Sequence, residues 1–339
     1  MASTKYYILF DKLNTPARNL LKETCELVPI TDYMQEPDRY AEKIDGIFRL
    51  TGSPLITKCM SDESLLNKMP NVKVAISIGA GTDCFNLPML WKKGIRVATT
   101  GKLNLGVTAE LGFMLLMASA RNLKQAMVAA ASPESFNMFR LNNNGVRLLG
   151  STLGIIGMGS VGYFVAEKAA AFKMNILYHN RTRRSQEDEN KVQAKYCETI
   201  EKLLSQSDFV MLCVPLTDHT KYLIGAKELK LMKPSAVLIN ISRGDVVDQD
   251  ALVKALQAGA IGGAALDVTT PEPLPADHPL LHMPNVIVTP HYAGATKEVL
   301  QELLSTGVTN LLAGLKGNPM PNELECPHSL ATCSSQPMQ

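Results

Sequence analysis

The sequence lacks most of the features that mark specialised classes of protein. Its 339 residues include one tryptophan, and aromatic residues make up only 6% of the chain. The formal net charge of +2 is too small to indicate a nucleic-acid or membrane partner, and no long basic block is present. The most apolar segment, residues 111–120, is shorter than the roughly 20 residues that span a bilayer. No internal repeat is present.

Cysteine is also sparse and without pattern. The seven cysteines are scattered, and none forms a C-x-x-C pair, which argues against a disulfide framework and a zinc site. A reducing compartment is favoured, and the N-terminal segment MASTKYYILF has no signal-peptide pattern, so we expect the cytoplasm. A hydrophobic share of 46% with 19% charged residues is typical of a globular protein with a sizeable core. The length suggests two domains.

Residues 151–184 combine a strand, a glycine turn, a helix and a second strand, in that order. The glycines stand at G-x-G-x-x-G spacing. The first permits a tight turn, the second lets the backbone approach a pyrophosphate, and the third lets the helix pack on the strand. Glycine turns are common, but this context predicts dinucleotide binding at the helix N-terminus. The residues assigned to the phosphate site are Gly157, Met158, Gly159, Ser160, Val161 and Gly162.

The end of the second strand bears on which nicotinamide cofactor binds. An NAD site usually has Asp or Glu there to hold the ribose 2′-OH, whereas this chain has Asn180. No carboxylate is present to repel a 2′-phosphate, and guanidinium groups bind phosphate bidentately. A solvated basic loop or a nuclear-import signal is the alternative. The position favours NADPH (NADP), with NADH as the second candidate, and the assigned residues are Asn180, Arg181, Thr182, Arg183 and Arg184.

Short apolar runs alternate with helical patterns along the rest of the chain, which predicts an α/β fold with parallel sheets covered on both faces. Helices are predicted at residues 16–26, 61–68 and 87–93 in the first hundred residues. Residues 104–122 predict a long buried helix. The poorly periodic segment 123–149 predicts an arm that grasps a partner.

Polar side chains with catalytic potential follow three successive predicted strands. They are Arg243, Glu272 and His291. Because open parallel sheets bind ligands at the carboxyl ends of their strands, we expect these side chains at the edge that carries the glycine turn. Taken alone, each has a simpler interpretation, as an ion pair, a solvated loop charge or a helix cap. A glycine turn near residue 80 could likewise bind an anion or be a plain tight turn.

Several segments occur in the order found in one enzyme family. They are GIIGMGSVG, CVPLTDHT, NISRGDVVDQDALVKALQAG, GGAALDVTTPEPLPADHPL and NVIVTPHYAGAT. The chain resembles the D-isomer-specific 2-hydroxyacid dehydrogenase family over nearly all its length up to residue 325. Within that family it is most similar to the glyoxylate/hydroxypyruvate reductases, by DVTTPEPLP and NLLAGLKGNPMPNEL.

The resemblance implies two doubly wound parallel-sheet (Rossmann-like) domains with a central active-site cleft. Residues 1–104 and 291–325 would form the substrate-binding domain, and residues 105–290 the dinucleotide-binding domain with a dimerisation arm at 121–150. Residues 326–339 read as a disordered tail. A homodimer is expected.

The resemblance also implies an NADPH-dependent reductase of small 2-keto acids. Arg243 matches the residue that binds the keto-acid carboxylate, His291 the acid/base, and Glu272 its partner, which favours the imidazolium. The loop Ile78, Gly79, Ala80 and Gly81 matches the substrate-carboxylate site. Further cofactor contacts are assigned to Asp267, to Gly294 and to the turn Cys213, Val214 and Pro215. No metal is implied.

Two departures from the family pattern stand out. Tyr292 follows the histidine where a smaller aliphatic residue is usual, and the arm has no tryptophan, Phe136 and Phe139 being its candidate substitutes. A different function on the same fold is the alternative: a nucleotide-sensing, corepressor-like binding protein, in which residues 181–184 would act as an import signal.

Overall fold

The structure is a computed structural model that describes residues 5–11, 13, 15–50, 52–83, 85–131, 134, 139 and 145–327. It divides the chain into two compact units, Met1–Asn104 with Thr296–Gln339, and Leu105–Ala295. The boundary at Ala295/Thr296 lies later in the chain than the predicted boundary at 290/291. The turn after the last strand is hydrogen-bonded to Asp267 and so stays with the sheet of the second unit. Phe136 and residues 328–339, and with them most of the predicted tail, lie outside the described residues.

The first unit contains a parallel sheet of five strands. They are β1 (Tyr6–Phe10), β2 (Cys25–Pro29), β3 (Ile44–Arg49), β4 (Val74–Ser77) and β5 (Arg96–Thr99), in the spatial order β2-β1-β3-β4-β5. Its helices among the described residues are α1 (Thr15–Leu21), α2 (Ile30–Gln35), α3 (Pro37–Tyr40), α4 (Pro54–Ser61), α5 (Glu63–Leu66), α6 (Leu87–Lys92) and the C-terminal α15 (Lys297–Leu315). Apolar clusters cover both faces of the sheet.

The helix predicted at residues 16–26 was too long. The helix α1 ends at Leu21, and β2 begins at Cys25 and pairs along its whole length with β1. Residues Cys25 and Val28 are buried, so burial in the sheet outweighs the helical pattern of the preceding residues.

The second unit contains a parallel sheet of seven strands. They are β6 (Thr152–Ile156), β7 (Asn175–His179), β8 (Ala194–Tyr196), β9 (Phe209–Leu212), β10 (Val237–Asn240), β11 (Gly263–Leu266) and β12 (Val286–Val288), in the order β12-β11-β10-β9-β6-β7-β8. Its helices among the described residues are α7 (Leu105–Ala120), α8 (Leu123–Ala130), α9 (Ser160–Ala171), α10 (Gln186–Val192), α11 (Ile200–Gln206), α12 (Ala226–Leu231), α13 (Gln249–Gln257) and α14 (Pro279–His282). The two parallel sheets confirm the predicted fold class.

The strand order of the second unit places its switch point between β6 and β9. From β6 the chain moves outward to β8, then returns to β9 on the other side of β6 and continues to β12. Crevices outside the carboxyl ends of strands at such a point are where doubly wound sheets bind ligands. The glycine turn follows β6 directly, so the topology positions it for that role.

Helix α7 corrects one prediction about apolar segments. The helical run Gly101–Ala120 has 20 residues and contains an 18-residue stretch with a mean hydropathy of 1.4, of which 39% is buried. By length and composition alone this run could cross a membrane. The apolar segment predicted from the sequence covered only residues 111–120. Within the second unit α7 packs its buried face on α9 and on the apolar cluster that lies against β10.

Helix α15 joins the two ends of the chain in the first unit. Asn310 on this helix is fully buried, and its side chain accepts from the Asn322 main-chain N–H at 3.0 Å and donates to the Asn322 side chain at 3.2 Å. The Asn322 carbonyl in turn accepts from the N–H of Thr99 at 3.3 Å. A buried amide therefore holds the C-terminal segment against β5.

We expect Asn310→Ala to lower the free energy of unfolding by about 1–3 kcal/mol, because it leaves the Asn322 N–H without its acceptor. Thr309→Ala on the same helix is the control, since the Thr309 hydroxyl is exposed and, among the described residues, binds only the Ser305 carbonyl of its own helix. Urea unfolding of both variants measures the difference. Equal stability of the two would show that the amide pair contributes nothing.

Candidate active site

The glycine turn after β6 can be formed only by glycine at two of its positions. Gly157 has a φ of +98°, and a Cβ there would lie 2.7 Å from the main chain of Cys213. A Cβ on Gly162 would lie 2.2 Å from the carbonyl oxygen of Gly157. The turn therefore packs main chain against main chain, which is what the spacing predicted.

The same turn leaves room for an anion. Gly159 is the N-cap of α9 and has no side-chain cap, and nothing lies within 4 Å of the position of its missing Cβ. The first N–H groups of the twelve-residue helix α9 thus lack intrahelical partners beside open space. A dinucleotide pyrophosphate fits these residues, which would hold it through main-chain N–H groups.

The loop after β7 carries the predicted cluster of arginines. Arg183 makes a bidentate ion pair with Glu189, through Nε at 2.8 Å and Nη2 at 2.7 Å. Arg184 donates to Asp188 at 2.9 Å and to the carbonyl oxygen of Met158 at 2.7 Å. Arg181 is exposed and has no ion pair among the described residues. The three guanidinium groups are therefore not equivalent.

Glu272 and His291 meet at the carboxyl ends of the strands. The Nδ1 atom of His291 lies 2.8 Å from Oε2 of Glu272, and their side chains are 31% and 39% exposed. Oε1 of Glu272 accepts from the main-chain N–H of Thr269 at 3.1 Å. A carboxylate on Nδ1 leaves Nε2 as the ring atom that can exchange a proton with a ligand.

The charge state of Glu272 follows from its surroundings. Burial by itself would raise the pKa of this carboxyl, but the hydrogen bond and charge of His291, the Thr269 N–H and the charge of Arg243 together hold the pKa below its ordinary value. Arg243, Glu272 and His291 thus lie in one unit, where the charges of Arg243 and His291 both lower the pKa of the Glu272 carboxyl. Glu272 is a carboxylate at neutral pH.

Asp267 holds the turn that carries His291. Its Oδ1 accepts from the Thr289 hydroxyl at 2.6 Å and from the Tyr292 N–H at 3.1 Å, and its Oδ2 accepts from the Ala293 N–H at 3.1 Å. His291 adopts a φ of +51°, an uncommon conformation for a residue with a side chain, and its N–H is bound by the Asp267 carbonyl oxygen at 2.8 Å. This buried carboxylate fixes the backbone from which the imidazole extends.

Comparison with known proteins bears on this arrangement. Residues 113–293 match the model of the "D-isomer specific 2-hydroxyacid dehydrogenase, NAD binding domain". A glyoxylate reductase from Thermococcus litoralis is 41% identical over 265 residues, which cover 77% of this chain and 79% of that protein. The chain belongs to the D-isomer specific 2-hydroxyacid dehydrogenase family. The identification made from the sequence motifs is confirmed.

Matches to other relatives cover similar or larger shares of the two chains. A glyoxylate/hydroxypyruvate reductase B from Pectobacterium carotovorum is 39% identical and matches over 77% of this chain and 81% of that protein. An NADPH-dependent glyoxylate/hydroxypyruvate reductase from Sinorhizobium meliloti, solved with NADP and malonate, is 28% identical with a TM-score of 0.81, covering 95% of this chain and 97% of that one. The family likeness therefore extends over both units.

Two residues that support the loops of Arg243 and Glu272 were not predicted from the sequence. Asn240 precedes the arginine loop, and its side chain accepts from the Ser242 N–H at 3.0 Å and donates to the Arg243 carbonyl oxygen at 2.8 Å. Gln249 binds both the N–H and the carbonyl oxygen of Thr270, at 3.0 and 2.6 Å, and so holds the loop of Glu272. A polar side chain at a strand end could have indicated the first. No local signal predicts the second, which reaches across 21 residues of sequence.

The predicted substrate loop lies in the first unit, after β4. The N–H of Gly79 donates to the Thr100 hydroxyl at 2.8 Å, so this donor is already used. Ala80 and Gly81 have no main-chain partner among the described residues and are the candidate anion donors. Ile78 is buried against α15. The assignments of Val214, Pro215 and Gly294 to the cofactor stay predictions.

We expect Gly162→Ala to lower the free energy of unfolding by about 3 kcal/mol, because the new methyl group meets a backbone oxygen that cannot move aside. Gly159→Ala is the matched variant: it should lose below about 1 kcal/mol, as an N-cap change, yet weaken binding of a reduced nicotinamide dinucleotide several-fold. Thermal unfolding and fluorescence titration measure the two effects. The account of the turn is wrong if the two variants show the same profile.

Proposed function

We propose that this protein is an NADPH-dependent reductase of small 2-keto acids, which converts glyoxylate to glycolate and hydroxypyruvate to D-glycerate. The observation that carries the proposal is the 2.8 Å contact between His291 and Glu272, with the charge of Arg243 acting on the same carboxylate. The relatives whose names state these activities support the substrate class. The reductase names do not favour the corepressor-like alternative.

Each of the three residues has a distinct part in the proposed reaction. The nicotinamide, when bound, supplies the hydride that adds to the ketone carbon. Arg243 binds the keto-acid carboxylate and polarises the ketone, because its planar group donates two parallel hydrogen bonds and is always charged. His291 donates a proton to the ketone oxygen from Nε2. Glu272 stabilises the imidazolium before that transfer and holds the ring in place.

The preference for NADPH is proposed from the end of β7. Asn180 occupies the place of the usual carboxylate, and its side chain is turned into the loop, where it donates to the Thr182 carbonyl oxygen at 2.9 Å. Glu189 and Asp188, on the helix that follows this loop, are paired with Arg183 and Arg184. Nothing described at this site would repel a 2′-phosphate. A relative solved with NADP is consistent with the preference.

The test of the proposed function is a panel of substrates with both reduced cofactors. Steady-state rates are measured with glyoxylate, hydroxypyruvate and a bulkier 2-keto acid, each with NADPH and with NADH. We expect the highest kcat/KM with NADPH and the two small keto acids. No turnover with any pair would contradict the function, and equal kcat/KM for the two cofactors would contradict the preference alone.

His291→Gln should lower kcat about 10²-fold or more, the usual effect of removing a positioned general acid. His282→Gln is the control, because this exposed histidine binds only the Ala276 carbonyl oxygen among the described residues. Thermal unfolding of both variants checks that the fold is retained. A near-normal kcat in the first variant would remove His291 from the proton transfer.

We further propose that the protein is a homodimer that uses helix α8. Leu123, Met127 and Val128 on this helix are 46%, 68% and 70% exposed, an uncommon density of uncovered apolar side chains on one short helix. The sequence predicted the partner-grasping arm at this place, although as a segment without a helix. Lys124 fixes the helix to the second unit by donating to three carbonyl oxygens, of Leu281, Met283 and Val286.

Val128→Asp should convert the dimer to a monomer, because the new charge cannot be buried without a partner. Leu20→Asp is the control, since Leu20 is 53% exposed on α1 of the other unit. Light scattering on a sizing column gives the mass of each form. A monomeric unsubstituted protein, or a dimer that survives Val128→Asp, would contradict this interface.

The cytoplasmic location stays a prediction.

A further inference from the structure

The basic loop between β7 and α10 is built around a buried carboxylate. The Glu189 side chain is 3% exposed, whereas that of Arg183, its bidentate partner, is 55% exposed. A third group completes the arrangement, because the buried Tyr178 hydroxyl donates to Oε1 of Glu189 at 2.6 Å. A carboxylate so deeply buried is stable only with such partners. The outer edge of the guanidinium, by contrast, faces solvent.

The buried group also controls the main chain of the loop. The Tyr178 hydroxyl, held by Glu189, accepts from the N–H of Arg184 at 3.0 Å. The Arg184 guanidinium lies 4.6 Å from the Tyr163 ring and binds the Met158 carbonyl oxygen at 2.7 Å. The network that starts at Glu189 therefore reaches the glycine turn and fixes the loop relative to it.

Within the described part of the chain, two of the three loop arginines are neutralised by acidic partners and one is not. Arg183 and Arg184 are paired with Glu189 and Asp188, and Arg181 is exposed without an ion pair among the described residues. Three positive and two negative charges leave one net positive charge on this set. The paired arginines still have N–H donors that their carboxylates do not use, since a guanidinium has more donors than one carboxylate accepts from. Arg183 also lies over the Tyr196 ring at 5.5 Å, which limits its motion further.

We propose that Glu189 is a positioning residue for recognition of the adenosine 2′-phosphate. It orders the Arg183 guanidinium and, through Tyr178, the main chain of the loop before the ligand arrives, and Arg181 supplies the uncompensated charge. Ordering a long side chain in advance removes part of the entropy loss on binding. The inference rests on the proposed NADPH preference. It states that part of this preference depends on Glu189, a residue that does not itself contact the phosphate.

The test uses the full chain and two adenosine fragments, adenosine 2′,5′-bisphosphate and adenosine 5′-monophosphate, which differ only in the 2′-phosphate. Calorimetric titration gives both Kd values without any turnover. Glu189→Gln keeps the volume but cannot accept two hydrogen bonds from Arg183, so the Kd for the bisphosphate should rise about fivefold while that for the monophosphate stays unchanged. Tyr178→Phe should shift the Kd in the same direction, and Arg181→Gln should raise it about tenfold through loss of charge.

Glu187→Gln is the matched control. Glu187 lies on the same helix and pairs with Lys191 at 2.8 Å, but its side chain is 79% exposed and does not pair with Arg181, Arg183 or Arg184. This variant should leave both Kd values unchanged. Thermal unfolding is recorded for every variant, and Tyr178→Phe decides the question if Glu189→Gln does not fold.

The possible results separate the inference from the function on which it rests. If the unsubstituted protein binds both fragments equally, the NADPH preference and the inference both fail. If it favours the bisphosphate and Glu189→Gln keeps that ratio, or weakens both fragments in parallel, only the inference fails, because Glu189 is then merely structural. The inference is supported if Glu189→Gln weakens binding of the bisphosphate alone and Glu187→Gln leaves both Kd values unchanged.

Discussion

The site depends on one buried carboxylate. Asp267 directly follows β11, and its side chain accepts three hydrogen bonds from the turn that follows β12. Its main-chain carbonyl oxygen accepts one more, from the N–H of His291, whose backbone is in the left-handed conformation. Because β11 and β12 are adjacent parallel strands, a side chain at the end of one can hold the loop of the other. The imidazole is thereby placed against Glu272, which extends from the loop directly after β11.

Buried carboxylates recur as organising groups in the second unit. Asp267 holds the turn that carries His291, and Glu189 holds the loop of arginines that follows β7 in the same sheet. In both places the acid is nearly inaccessible to solvent, and its partners are a hydroxyl group together with main-chain N–H groups or a guanidinium. Each of the two carboxylates accepts three hydrogen bonds, and a buried acid held in this way fixes the loop that supplies the donors. The groups that would touch ligands lie outside this layer and are partly exposed.

The α/β class, the family and most strands could be predicted from the sequence, whereas several short elements could not. The turn at Gly157 was predictable because only glycine tolerates its conformation, and this requirement is visible in the spacing. Strand β8, helix α10 and helix α8 were not predicted, since segments of three to eight residues carry little periodic signal. Strand β2 was lost in an overlong helix, because pairing with β1 rather than local propensity forms it.

Local sequence patterns were enough to show which residues with catalytic or binding side chains follow the strands, because parallel strands and glycine turns leave such patterns. The tertiary structure decided which of these residues interact. It paired two of the three loop arginines with acids on the following helix, and it turned Asp267 toward the histidine turn. It also placed the Gln249 side chain in hydrogen-bonding contact with the main chain of Thr270, 21 residues later in the sequence. Partners of this kind are set by packing between segments distant in sequence, which no local pattern of residues encodes.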